Sequence, residues 1–540
     1  MDYLRRRAAR VQEKAQGKHK VSGWVLPKQS TSFAPDGTWT NIDLDVTPPE
    51  RRVWNAASVF GYWLSDILSA QSWEIGASIL AIGLTWREAI WTVIVGSTVM
   101  AFCIAFNGAP GAYLRVPFPV WIRSAFGYQL AKFPVVCRLV TALFWHSIQT
   151  YTGSTALTIA LAAIWPSYLN ISNHLPASAG ITSQGLLSHF LFWSIQLPFL
   201  LIHPHKLKWF FVFKAFVTIT AAVGTTIAVC VMAGGSGDIW DQKPTVTGWT
   251  RAWLIVSTLT SQTGSWSTVG TNISDFTRYV KNPKNIYFQT IFFPVICFFV
   301  GVLGIISASA TKVLYGEYIW DPLTIAGKWT SPGARAAAFY CGFAWMIAQI
   351  GVNVSANVIS ASNDLSSLFP KYVNIRRAAV VVTVVAGWVM VPWKIVTSAE
   401  SLLNFMASLG VFLAPIIAIS IADYWVVKKR RVDVGGLYKP HGRYRYVAGC
   451  NWRAALAMLC SIGPTMPSLA KNVNADVDID GAEYIADLVW YYGFVSAFIV
   501  YVVLSKAWPA KETLIFKTEL VIDGELGIQV VEDEPKKLDE

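Results

Sequence analysis

Charge is scarce in this chain. Asp, Glu, Lys and Arg make up 14% of its 540 residues, against about 25% in a soluble domain. Hydrophobic residues make up 54%, and apolar runs of about 20 residues, long enough to cross a bilayer, recur from end to end. A soluble globular class is excluded. Cysteine is sparse too, and Cys103, Cys137, Cys230, Cys297, Cys341 and Cys460 lie inside apolar runs. There is no C-x-x-C, so neither a disulfide framework nor a metal site is expected. No His/Cys set has metal spacing and no nucleophile sits beside a base, which argues against an enzyme and against any cofactor. The net charge of +12 does not point to nucleic acid, because the basic residues sit in tails and short loops. Residues 1–20 are basic and polar, without the apolar region of a cleavable signal peptide.

What is present is a series of spans. Twelve are expected, at about 56–82, 88–107, 134–164, 185–202, 208–233, 252–273, 285–310, 336–361, 377–396, 400–424, 452–470 and 485–506. The fold class is therefore an all-α polytopic membrane protein. Of the 44 Lys and Arg, 34 fall in segments on the side of the N-terminus and 8 in the opposite loops; Arg138 and Lys214 lie within spans. The positive-inside rule then makes both termini cytoplasmic. The chain divides into a cytoplasmic tail (1–55), a ten-helix core (56–424), a cytoplasmic loop (425–453), two peripheral helices (454–506) and a second cytoplasmic tail (507–540). Asn170-Ile-Ser172 fits a glycosylation acceptor, a pattern short enough to arise by chance.

Two spans lose their apolar character midway. From Trp253 to Asp275 the chain reads W-L-I-V-S-T-L-T-S-Q-T-G-S-W-S-T-V-G-T-N-I-S-D, with Gln262, Thr263, Gly264, Ser265, Ser267 and Thr268 where a spanning helix should be driest and Trp266 an apolar plate set among them. Between Trp63 and Trp73 the first span places Ser65, Asp66, Ser69, Gln71 and Ser72 in the same way. Paired interrupted helices in spans one and six are the mark of an inverted repeat of five plus five helices, with a binding site at the bilayer midplane. Small residues packed between helices are the alternative.

Other in-span polar residues group by spacing. Trp145 and Gln149 share a face of span three, an indole to stack on and an amide to bond a ring edge; packing and a helix–helix bond are the plain alternative. Asn353 and Asn357 share a face of span eight and must be paired or face the interior. Asp66, Lys214 and Asp364 are charges too costly to leave isolated in lipid. A carboxylate near a lysine can change protonation as its surroundings open and close, although a static salt bridge would also account for them. His146 points away from the Trp145 face and reads as core.

The motifs N-I-D-L-D-V-T-P-P-E-R-R-V-W (41–54), W-x-S-D in span one, W-H-S-I-Q-T-Y in span three, G-S-W-S-T-V-G-T-N-I-S-D-F-T-R-Y in span six and N-V-S-A-N-V-I-S-A-S-N-D-L-S-S-L-F-P in span eight resemble the nucleobase–cation symporter-1 family, in particular its fungal uracil and allantoin permeases. The resemblance covers about residues 41–510. It implies a twelve-helix LeuT-type fold, alternating access and plasma-membrane uptake. Trp145 and Trp266 would sandwich a flat ring. Gln149 and Asn357 would bond its edge, aided by backbone near Gly264 and Ser265, with Asn353 as a secondary candidate. The family's sodium-linked hydantoin branch uses two span-eight hydroxyls as cation ligands; here those positions are Gly351 and Val352. Ala348, Ser65 and Leu68 match backbone-ligand positions. The missing hydroxyls disfavour sodium and favour proton coupling through Asp66, Lys214 and Asp364. The expected function is proton-coupled import of uracil, allantoin or a related cyclic ureide. Alternatives are a cytosine/purine, nucleoside or thiamine-like cargo, a membrane enzyme or a non-transporting sensor. Partners expected are the heterocyclic solute, membrane lipids and, at the tails, trafficking and ubiquitin machinery.

Overall fold

The computed structural model describes residues 21–27, 34, 40–202, 207–474 and 476–518. The tail segments 1–20 and 519–540, expected to meet trafficking machinery, lie outside the described residues. The chain is helical throughout its long elements: α1 (Ala56–Ile67), α2 (Ala70–Ala81), α3 (Trp86–Leu114), α4 (Lys132–Ile164), α5 (Ser183–Leu201), α6 (Lys208–Ala233), α7 (Gly248–Gly264), α8 (Ser267–Asn272), α9 (Gln289–Tyr315), α10 (Pro332–Val352), α11 (Ile359–Leu368), α12 (Ile375–Val384), α13 (Ala399–Ile421), α14 (Trp452–Val473) and α15 (Val489–Ala507). Among the described residues, six helices are long and apolar enough to cross a membrane: Trp86–Leu114, Lys208–Ala233, Pro283–Tyr315, Pro332–Leu368, Ala399–Val427 and Val489–Ala507.

Helix starts follow local chemistry. Asn55 and Ser58 form a reciprocal capping box at α1, as do Ser398 and Ser401 at α13, each satisfying two otherwise orphaned N–H groups. Thr85 caps α3 with Glu88, whose other oxygen accepts from Arg251 of α7 at 2.6 Å. The first interruption is a true break. Leu68 and Ser69 leave helical geometry (Ser69 φ −139°, ψ 160°), and the Ser69 hydroxyl caps α2. The second is slighter than the sequence implies. Ser265 keeps helical angles (φ −55°, ψ −31°) and only Trp266 departs (φ −97°, ψ 2°). Gly264 is not a conformational hinge. A Cβ there would stand 2.5 Å from the Met406 carbonyl of α13, so glycine is required for close approach.

The bundle is tied together where backbones nearly touch. Helix α9 packs on α2, α3 and α6, and α10 packs on α4 and α6. A Cβ at Gly342 of α10 would lie 2.7 Å from the Ala156 carbonyl of α4; small residues at such crossings let dispersion and close contact hold helices together. On one face of the bundle, residues 40–54 run across the helix ends. Thr47 N–H donates to the Arg115 carbonyl at 2.8 Å and Trp54 N–H to the Tyr279 carbonyl at 2.9 Å. The stretch after α13 is also tightly packed there, with Leu437, Tyr438 and Tyr444 buried.

Replacing Gly342 by leucine should cost about 1–3 kcal/mol of stability, as overpacking does. Gly333 of the same helix has no atom within 4 Å of its Cβ position. Thermal unfolding in detergent should show a lowered midpoint for Gly342→Leu and an unchanged one for Gly333→Leu.

Candidate functional site

The end of α1 leaves backbone carbonyls without intrahelical partners, and a cation takes one of them. Lys214 of α6 is wholly buried. Its ammonium donates to the Ser65 carbonyl and lies 3.4 Å from the Ser65 hydroxyl. Asp66 lies beside Lys214 and Ser355, and its Oδ1 accepts no hydrogen bond among the described residues. Gly351 of α10 faces the lysine stem. A Cβ there would overlap the lysine Cδ and stand 3.2 Å from its Nζ. The position expected to lack a hydroxyl therefore lacks room for any side chain, because Lys214 fills the space. Leu68 and Ala348 are buried in the same two spans, and Lys214 donates to neither.

Asp364 does not join this pair. It forms a fully buried ion pair with Arg138 of α4, whose guanidinium also donates to the Ser360 carbonyl. Ser360 Oγ accepts from Asn272 at 2.7 Å, Asn272 donates to Asp275 at 3.1 Å, and Asp275 accepts from the Phe118 N–H at 2.8 Å. One polar network thus joins α4, α11, the end of α8 and the loop after α3.

The two indoles have different ring neighbours. Trp145 is buried with its ring against Phe405 of α13, centroids 5.6 Å apart and edge-on. Trp266 meets Phe293 at 5.0 Å and Trp63 at 6.5 Å, again edge-on, and its N–H has no partner among the described residues. Trp266 lines a small cavity with Ser72, Ile75, Val93, Gln262 and Cys297; Trp145 does not line it. The two are linked through α13: Phe405 touches Trp145, and the next residue, Met406, lays its carbonyl over Gly264. Segment α8 packs directly on α4.

The amides lie on a widened turn. Residues Asn353–Val358 form a π-helical stretch between α10 and α11, a form that recurs at functional sites. Asn357 donates to Asn353 Oδ1 at 2.9 Å. Gln149 is buried, and its Oε1 has no partner among the described residues. A buried amide oxygen left unpaired is costly, and a ligand N–H would satisfy it. Ser265 spends its hydroxyl on the Gln262 carbonyl at 2.8 Å.

Sequence reasoning missed several participants. Arg138 was visible as an in-span charge, yet its partner was not. Gln71 was legible as a polar residue of the first interruption but its partners were not: in the first turn after the break it donates to Thr152 at 2.9 Å and accepts from Gln349 at 3.2 Å. Helix α15, expected to be peripheral, reaches the second interruption: Trp490 donates to Ser267 at 2.7 Å and Tyr491 OH lies 2.8 Å from Thr263 Oγ1.

Breaking a buried ion pair from one side costs about 3–5 kcal/mol, while replacing both partners by apolar groups costs far less. Arg138→Met or Asp364→Leu alone should therefore destabilise strongly, and the double variant should regain most of the loss. Unfolding midpoints of the three proteins test this.

Comparisons with known proteins bear on this architecture. A family model described as permease for cytosine/purines, uracil, thiamine, allantoin matches residues 46–493. The chain is 38% identical to an uncharacterized permease of Schizosaccharomyces pombe, over 91% of this chain and 87% of that one. It is 30% identical to the allantoin permease of Saccharomyces cerevisiae (88% and 76% covered) and 31% identical to the uridine permease of the same yeast (87% and 75%). Its fold is similar to a nucleobase-cation-symport-1 family transporter in a closed conformation with bromovinylhydantoin bound. The TM-score is 0.65 at 20% identity, covering 89% of this chain and 97% of that chain. The match spans nearly all of the described bundle, both interrupted helices included, and the chain belongs to the nucleobase–cation symporter-1 family of membrane transporters, the permeases for cytosine/purines, uracil, thiamine and allantoin.

Proposed function

We propose that this chain imports uracil, allantoin or a related nucleobase or cyclic ureide together with a proton, by alternating access across the plasma membrane. Both termini are cytoplasmic in this reading. Twelve spans form a LeuT-type core of two inverted sets of five helices, plus two more. The interruptions after Ile67 and Gly264 support that repeat, since they fall in spans one and six.

The observation that carries the proton reading is the lysine at the first break. Lys214 bonds the Ser65 carbonyl beneath Gly351, at the positions that align with the hydantoin branch's sodium ligands. An ammonium tethered there supplies the positive charge that a bound sodium ion would bring. Asp66 beside it is the group whose protonation sets the balance. When neutral, it leaves the ammonium on the Ser65 carbonyl; when ionised, it competes for the ammonium and pulls on the end of α1. Ala348 and Leu68 contribute only backbone around this centre. Asp364 is a weaker carrier than Asp66, because it is held in a fully buried ion pair with Arg138, which is itself anchored on the Ser360 carbonyl.

The substrate reading rests on the groups left unpaired. The Gln149 oxygen and the Trp266 N–H both lack partners among the described residues. In the substrate-bound state Trp145 and Trp266 would close on the two faces of a ring, with Gln149, Asn357 and the backbone near Gly264 and Ser265 at its edge. Phe405 packs against Trp145 with its ring plane steeply inclined to the indole and has to turn aside for this. Relatives named for allantoin and for uridine match at nearly equal identity, so the choice of cargo is set by side chains lining the site.

Labelled uracil and allantoin uptake by a transport-deficient yeast should fall as pH rises from about 5 to 8 and be indifferent to replacing sodium by choline. Asp66→Asn should flatten that pH profile. Trp145→Ala should abolish uptake at a normal surface level, while Gln149→Ala and Asn357→Ala should each cost about 1–3 kcal/mol of binding. Uptake that required sodium and ignored pH would overturn the proton reading.

A further inference from the structure

Behind Asn357 runs a chain of hydrogen bonds whose direction is fixed from one end. The backbone carbonyl of His146 can only accept, and the Thr150 hydroxyl donates to it at 2.7 Å. A hydroxyl has a single hydrogen, so toward every other neighbour Thr150 Oγ is an acceptor. Gln196 of α5 and Asn353 both reach that oxygen, at 3.0 and 3.2 Å. Each must therefore present its NH2 group there. The other end of the Gln196 amide, Oε1, accepts from the Asn353 NH2 at 3.0 Å, in agreement. With its nitrogen committed to Thr150, Gln196 and, at 3.5 Å, the His146 carbonyl, Asn353 turns its oxygen the opposite way. That oxygen accepts from Asn357 Nδ2 at 2.9 Å.

Asn357 is left with its own oxygen, Oδ1, which accepts no hydrogen bond among the described residues. The direction cannot be reversed locally. Thr150, Gln196 and Asn353 are all 0% exposed and Asn357 is 5% exposed. Turning Gln196 or Asn353 would set oxygen against oxygen and nitrogen against nitrogen, and turning Asn357 would set its oxygen against that of Asn353, all among buried groups where unpaired polar atoms are most costly.

We propose that Thr150 and Gln196 are positioning residues that lock the Asn357 amide with its carbonyl toward the ligand, so that this edge of the site takes a ring N–H and refuses a bare acceptor. This rests on the reading that Asn357 borders the ligand. It assigns part of the specificity to α5, which supplies none of the residues in direct reach of the ring.

The test uses the full chain in lipid nanodiscs, with uracil, hypoxanthine and allantoin as probes. Asn357→Ala should weaken the best-bound probe at least about tenfold. Thr150→Val and Gln196→Leu should each weaken it several-fold, and Thr150→Ser, which keeps the hydroxyl, should restore it to within about twofold. In the Asn357→Ala background, Thr150→Val should change affinity by less than about twofold, because residues acting through one another are not additive. For uracil and hypoxanthine, methylating one ring N–H should cost about tenfold in the parent protein and clearly less in Thr150→Val, whose amides are free to turn. If Thr150→Val does not reach the membrane, Gln196→Leu takes its place in the cycle. Additive losses, or a Thr150→Val and Gln196→Leu pair that bind normally while Asn357→Ala does not, overturn the relay and leave the site standing. Normal binding by Asn357→Ala, or no binding of any probe by the parent protein, overturns the site reading and the relay with it.

Discussion

A lysine ammonium buried inside a lipid-spanning bundle must be satisfied at once or it will not be there. Burying an unpaired charge costs far more than a folded protein can spare. Lys214 meets that demand with the carbonyl released where α1 stops, and with Asp66 alongside. Much else follows from this contact. The break after Ile67 is required because an unbroken helix would have no carbonyl to offer. Gly351 is required because the lysine stem runs through the space a side chain would occupy. Helices α1, α6 and α10 are thereby held around one positive charge.

The same rule, that interior polar groups must find partners inside the protein, shapes the rest of the bundle. The Arg138–Asp364 pair, with Ser360, Asn272 and Asp275, fastens one side. The amides of Asn353, Asn357 and Gln196 fasten another. Buried groups without a partner among the described residues include the Gln149 oxygen, the Gln262 oxygen and the Trp266 N–H, and also Asp66 Oδ1, Asp364 Oδ1 and Arg138 Nη1. Gln262 and Trp266 belong to the second interruption, and Asp66 to the end of the helix before the first.

The legible part of this structure in the sequence was local. Ser65, Asp66 and Ser69 in an apolar run announced the first break, and the spacing of Asn353 and Asn357 announced a shared face. Gly351 is legible as a position without a side chain, but not that the Lys214 stem fills the space beside it. What stayed hidden depends on partners far away in the chain. Nothing in F-W-S-I-Q-L-P marks Gln196 as the neighbour of Asn353, 157 residues on. The π-helical turn at Asn353–Val358 leaves no sequence trace, since it differs from a helix only in which carbonyl each N–H selects. Gly264 is legible as part of an interrupted span, but its close passage under the Met406 carbonyl is a property of α13 that the local sequence does not carry.

Helix α15 has a role beyond enclosing the bundle. Through Trp490 on Ser267 and Tyr491 on Thr263 it grips both sides of the second interruption, and it is itself clamped to α13 and α14. The two halves of that span are thus riveted to a common post and cannot swivel independently while both bonds hold. Any rocking that exposes the interior to one side of the bilayer and then the other must carry α15 along with α7 and α8, or slip both bonds at each turnover. Helix α15 thus ties the two half-helices to each other as well as to the bundle, and a lineage that shed it would have to find another way to keep them in step.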